Sequence, residues 1–216
     1  MLATQDAQGF ARISEFYDKG GIIMYVLTFC SMVTLAVVVY KALDLGRDRV
    51  LPSDLKNSIN TALRGDVADF TALDKVVAAG ESVLARLSQV ALDRKYQSAD
   101  VIRDAVQAKA HEEIVKLQGG IGVLDVVIVV APMLGLLGTA SGITTVFDGM
   151  SSMGDIKMNV MASGVAEALS TTIAGLAVAV PAVIGHSFFN RKIETYASQL
   201  EVVVGDLVGA VSSNSK

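Results

Sequence analysis

Three stretches of this chain are almost free of charge. The first runs from Gly20 to Tyr40 between Lys19 and Lys41, the second from Val126 to Phe147, and the third from Ala168 to Asn190, where His186 is the one side chain that ionises near neutral pH. A helix rising 1.5 Å per residue needs roughly 20 apolar residues to cross about 30 Å of hydrocarbon, and each stretch meets that length. A core helix of a soluble protein is the alternative for any one of them, but such helices are shorter and carry polar residues every turn or two. The pattern therefore predicts an all-α integral membrane protein with three transmembrane helices and long cytoplasmic helical extensions.

The remaining segments follow from where charges and breakers fall. Residues 1–19 form an external N-terminal segment, in which Phe10, Ile13, Phe16 and Tyr17 have the near-helical spacing of an interfacial helix. The first span covers 20–45, a cytoplasmic helical region 46–118, the second span 119–147, a short external loop 148–157, the third span 158–190 and a cytoplasmic C-terminal helix 191–216. Within the cytoplasmic region Pro52 and Ser53 start a helix, while Gly65 and Gly80 separate later ones. From Glu81 to Leu117 the pattern is amphipathic, with Val83, Leu84, Leu87, Val90 and Ala91 on one face and Val101, Ala105 and Ala108 after a break near Ser98. This stretch is expected to continue into, or pack beside, an extension of the second span. Past Arg191 an apolar stripe of Ile193, Leu200, Val203, Leu207 and Val208 predicts a further helix.

Composition alone, 216 residues with 52% hydrophobic and 19% charged, would suggest one or two soluble domains. The segregation of charge overrides that prior. Of 18 Lys and Arg, only Arg12, Lys19 and Lys157 fall on the external side of this layout, so the positive-inside rule places the N-terminus in the periplasm and the C-terminus in the cytoplasm. Asp6, Glu15 and Asp18 precede the first span in place of a basic n-region, so that span is expected to remain in the mature protein. The net charge of −4 is scattered and argues against nucleic acid as a partner. Cys30, the single cysteine, lies within a span and is expected to pack. His111 beside Glu112 and Glu113 on a charged helix is expected to be a wet surface, not a metal site. No nucleophile, metal or phosphate-loop constellation points to an enzyme.

The second and third spans differ from the bulky first one. Pro132, Gly135, Thr139 and Gly142 recur at steps of three and four, as do Ala168, Thr172, Gly175 and Ala179. With Gly138 and Pro181, the small and proline positions Pro132, Gly135, Gly142 and Gly175 are assigned to helix packing, because small residues let membrane helices approach closely. The threonines have two readings: they line a narrow conduit, or they bond backbone carbonyls of their own helix. Glu167 also has two. A carboxylate at membrane depth costs on the order of 2.5–3.5 kcal/mol and marks an ion path or buried pair; alternatively the outer part of a long helix lifts it to the headgroups. On an ideal helix Glu167 and Thr172 lie about 140° apart, so one face does not present both.

The segments Lys19-Gly-Gly-Ile-Ile-Met-Tyr25, Pro132-Met-Leu-Gly-Leu-Leu-Gly-Thr139 and Glu167-Ala-Leu-Ser-Thr-Thr172, with Pro181-Ala182 beyond, resemble the ExbB/TolQ proton-channel family, relatives of the MotA flagellar stator. The resemblance implies a homopentamer in the bacterial inner membrane, around a pore that holds the helices of a single-span ExbD/TolR-like partner dimer. It implies protons as the coupling ion, no cofactor, a proton-accepting aspartate on the partner, and work passed to a TonB-like or TolA-like protein. Thr139 and Thr172 match the family's pore-facing threonines and Glu167 its intramembrane glutamate. Three spans rather than four favour the ExbB/TolQ branch over MotA. A gliding or flagellar-type stator, a lone solute transporter and a membrane scaffold without proton conduction are the other readings.

Overall fold

The computed structural model describes residues 2–64, 70–93, 98–152 and 158–214, all helix or short connections with no strand among them. The described residues form eight helices in order: α1 (Leu2–Asp44), α2 (Arg47–Val50), α3 (Ser53–Arg64), α4 (Phe70–Ala78), α5 (Val83–Leu92), α6 (Ala99–Gln118), α7 (Ile121–Ser152) and α8 (Met158–Asn214). Among the described residues three segments are long and apolar enough to cross a membrane, Gly20–Asp44, Ile121–Asp148 and Met161–Ser213. The chain is an all-α membrane protein. It divides into two units, one of residues 1–39 and 122–186, the other of residues 40–121 and 187–216.

The first unit contains the apolar parts of α1, α7 and α8. α1 is broken at Gly21, whose φ of 57° and ψ of −153° fall in a region open essentially to glycine alone. Beyond the break α1 buries Met24, Leu27 and Thr34, while Ile22, Tyr25, Phe29, Met32 and Leu35 remain exposed. Thr34 donates its hydroxyl to the Cys30 carbonyl at 2.8 Å, so this buried polar side chain of α1 is satisfied within its own helix. α7 and α8 likewise expose Val126, Met133, Leu136, Leu169, Ile173 and Ile184. Such a surface suits hydrocarbon or other membrane helices, where apolar exposure costs nothing.

The second unit is a helical bundle with an ordinary apolar core. Val50, Leu51, Leu55, Ile59, Leu73, Val77, Leu84 and Leu87 fill it from α2 to α5 and the connections between them. The tail of α8 buries Ile193, Leu200, Val203, Leu207 and Val208, together with Phe189 and Tyr196. The cap of α5 is Ser82, whose hydroxyl accepts from the Ala85 amide at 3.1 Å. Lys41, 1% exposed, donates from Nζ to Asp44 at 3.0 Å and to the Leu117 carbonyl at 3.1 Å, tying the end of α1 to the end of α6.

Three details depart from the pattern of the sequence. α6 does not run into α7, because Gly119 and Gly120 separate them and Gly120 adopts φ 83°. Its buried positions are Ile102, Glu113 and Leu117, whereas Val101 is 49% exposed and Ala108 is also exposed. The larger Ile102 wins the inner position, and a salt bridge takes the place of an apolar contact at Glu113. α7 continues to Ser152, and the rest of the expected loop, residues 153–157, lies outside the described residues, as does Gly65.

Glu113 joins α6 to α5. Its carboxylate meets Arg86 at 2.6 Å and Lys109 and Lys116 at 3.4 Å each. Burial alone would raise its pKa, but Arg86 and Lys116 outweigh that and hold the carboxyl below its usual range. Its exposed neighbour Glu112 is drawn down to about 2 by hydrogen bonds from Lys109 and Lys116. Glu113→Gln is expected to cost about 2–3 kcal/mol, since a buried charge-assisted bond is lost and Arg86 keeps no charged acceptor. Because the folded carboxyl titrates lower than the unfolded one, this contribution is complete above the ordinary carboxylate range and fades as pH falls through the lowered value. Denaturant titrations at about pH 7 should separate the two proteins, and the difference should narrow as the titrations are repeated at successively lower pH below the ordinary carboxylate range.

Candidate functional site

α7 and α8 pack antiparallel along a line of glycines. A β-carbon on Gly142 would stand 2.6 Å from the Gly164 carbonyl, one on Gly135 3.0 Å from the Thr171 carbonyl, and one on Gly175 2.6 Å from the Ala131 carbonyl. Gly138 faces the Thr171 side chain, and Gly164 faces Val146. Backbone therefore touches backbone over this seam, which only residues without side chains permit. Ala168, Ala179 and Ala182 are buried on the α8 side.

Three hydroxyls lie within the seam. Thr139 and Thr172 stand 2.5 Å apart, oxygen to oxygen, and either can donate. Thr139 also reaches the Gly135 and Ala168 carbonyls, each at 3.2 Å, and Thr172 reaches the same two at 3.3 and 3.2 Å. Thr171, fully buried, donates toward the carbonyls of Ala168 at 3.0 Å, Glu167 at 3.2 Å and Gly135 at 3.4 Å. Each hydroxyl has one proton, and the carbonyls offer more acceptors than there are donors. When Thr139 donates to Thr172, Thr172 donates to a carbonyl; the reverse arrangement is equally satisfied. The pair can thus invert its direction without losing a hydrogen bond. Of the two threonine readings left open by the sequence, the bonding of the hydroxyls to carbonyls of their own helix is realised, and the hydroxyls also bond each other.

Glu167 is not part of this cluster. Its Oε1 lies 3.8 Å from where a β-carbon on Gly21 would stand, beside the break in α1, and it takes no hydrogen bond or ion pair from the described residues. The carboxylate is half-buried on a different side of α8 from Thr172, as the angular spacing requires. Among the packing positions, Gly135, Gly138, Gly142 and Gly175 all stand in the seam. Pro132 is half-buried and Pro181 exposed, both inside unbroken helices. Each proline removes a backbone donor, so the carbonyls of Ile128 and Ala177 lack their usual partner.

Sequence reasoning missed two features. Thr171 was overlooked beside Thr172, although it is the residue that Gly138 makes room for. Asp125 on α7 and His186 on α8 form a pair, Oδ1 to Nε2, at 2.8 Å. The antiparallel register that unites Thr139 with Thr172 would have united these two as well.

These helices define a multi-pass membrane protein whose second and third spans enclose hydroxyls in the seam between them. The model of the MotA/TolQ/ExbB proton channel family matches residues 68–202, and the chain belongs to that family. It is 28% identical over 182 residues to an ExbB-like biopolymer transport protein of Synechocystis sp., covering 80% of this chain and 68% of that one. It is 27% identical over 196 residues to the biopolymer transport protein exbB1 of Vibrio cholerae, covering 88% and 84%. The biopolymer transport protein ExbB of Neisseria meningitidis is 27% identical over 199 residues, covering 86% and 88%.

Gly175→Val would drive two methyl groups toward the Ala131 carbonyl and force the seam open. It is expected to cost about 1–3 kcal/mol and to lower the melting temperature of the detergent-solubilised protein. The same change at Gly205, where nothing lies within 4 Å, should leave the melting temperature almost unmoved.

Proposed function

We propose that this chain is the pore-forming subunit of an inner-membrane motor driven by the proton-motive force, coupling proton flow to work on the cell envelope such as TonB-dependent import or Tol-Pal function. The observation that supports the reading is the Thr139–Thr172 pair, a hydrogen bond of invertible direction in the glycine seam of the second and third spans. Hydroxyls pass a proton along but do not hold it as a charge near neutral pH. Charge storage falls to carboxylates: Glu167, and an aspartate brought by a single-span ExbD/TolR-like partner dimer. The apolar faces of α7 and α8 suit a ring of like subunits, a homopentamer enclosing that partner. The distribution of Lys and Arg supports a periplasmic N-terminus and a cytoplasmic C-terminus. Protons are the coupling ion, no cofactor is needed, and the subunit is not an enzyme.

One observation favours a second reading. The carbonyls within the seam satisfy all three hydroxyls, so the cluster would also serve a scaffold that conducts nothing. Proton flux and envelope function in cells that carry the partner separate the two. Thr139→Val, Thr172→Val and Glu167→Gln are each expected to reduce proton-driven envelope function roughly tenfold or more, the scale on which positioned proton-transfer groups act. Full activity in all three would remove the pathway and leave the scaffold.

A further inference from the structure

The two polar pairs on α7 and α8 share one register. From Thr139 to Asp125 is fourteen positions back along α7, and from Thr172 to His186 is fourteen positions forward along α8. Fourteen residues close almost four turns, so in an antiparallel hairpin both pairs lie on nearly the same edge of the seam, about 21 Å apart. Midway between them on that edge stand Pro132 and Ala179. Pro132 leaves the Ile128 carbonyl as an acceptor with no helical donor.

The second pair has what the first lacks, groups that ionise. Asp125 is 61% exposed and His186 only 24%, so the carboxylate is the open member of the pair and the imidazole the sheltered one. From Gly20 onward, the other charged residues among those described in this unit are Asp148 at the opposite end of α7 and Glu167 beside Gly21; between Gly20 and Val39, α1 adds only the titratable Tyr25 and Cys30.

We propose that Asp125 and His186 form a proton-exchange station at the far end of the seam edge that carries Thr139 and Thr172. The assignment rests on the proton-driven reading of the preceding section. In the resting pair His186 Nε2–H donates to Asp125 Oδ1. A proton arriving at Nδ1 makes an imidazolium held by the carboxylate. Transfer of the Nε2 proton to Asp125, and from there to water, leaves a neutral ring with its proton on Nδ1. One proton enters and one leaves, and the ring is left as its other tautomer, so a turn of the ring or the reverse exchange restores the resting pair. By the positive-inside arrangement this end faces the cytoplasm.

Two measurements test the station. In the full-length chain in detergent, His111→Gln leaves His186 as the one histidine, and ring-nitrogen NMR reads which nitrogen carries its proton. The proton is expected on Nε2, with a hydrogen-bonded Nε2–H signal that Asp125→Ala abolishes. A ring proton held on Nδ1 alone, or an Nε2–H signal that Asp125→Ala leaves in place, overturns the proposal. The second measurement is proton flux into liposomes containing the chain with its ExbD/TolR-like partner, read by a pH-sensitive dye. Asp125→Asn and His186→Gln should each lower flux roughly tenfold and flatten its dependence on cytoplasmic-side pH. The exchanged double variant, Asp125→His with His186→Asp, should recover both. Unchanged flux and pH profile in the single variants sink the station but leave the motor reading intact. A wild-type complex that carries no proton flux removes both.

Discussion

The approach of α7 to α8 at backbone distance is the constraint from which the rest of the membrane unit follows. In hydrocarbon, apolar side chains gain nothing by leaving lipid for one another, so helices associate through close packing and interhelical hydrogen bonds. Gly135, Gly142, Gly164 and Gly175 supply the first by omitting the β-carbon where a facing carbonyl stands. The second becomes possible only because the first has been met. With the backbones this close, a threonine hydroxyl on one helix reaches a carbonyl on the other: Thr139 finds Ala168, and Thr171 and Thr172 find Gly135. The hydroxyl cluster is thus a consequence of the glycine line.

The same constraint explains how the polar groups are distributed. A hydroxyl that bonds a carbonyl is tolerated in a membrane helix, whereas a charge must find a partner or water. Asp125 and His186 find each other at one end of the seam. Glu167 finds no partner among the described residues and lies beside the one residue of α1 whose backbone departs from the helix. In the second unit the logic is that of a soluble bundle. There the buried charges Lys41 and Glu113 are matched by carbonyls and counter-ions contributed by other helices.

Much of this was legible in the residues, and the reasons differ by element. The three spans were plain because a stretch without charge has few alternatives. The stripe on the tail of α8 was equally plain, since Ile193, Leu200, Val203, Leu207 and Val208 are all buried. The pattern misplaced the inner face of α6 by one residue, because Ala105 and Ala108 carry little apolar weight and Glu113 is buried through ion pairs that hydropathy does not register. The break at Gly119 and Gly120 was written in the sequence but outweighed by the apolar run that follows. At the site, spacing put Thr139 and Thr172 on packing faces and set Glu167 apart from them. It could not reveal that the two faces meet each other, because register between helices is a tertiary property; Asp125 and His186 stayed unpaired on paper for that reason.

Seams built from side chains can slip by exchanging rotamers, each knob finding a new hole. The line from Ala131 and Gly175 to Val146 and Gly164 offers few such alternatives, because carbonyls and α-carbons have no rotamers to exchange. α7 and α8 therefore behave as one stiff strut, and a working cycle that moved them would move them together. Deformation would be taken up at the bulky flanks, where leucine, valine and phenylalanine meet fluid surroundings.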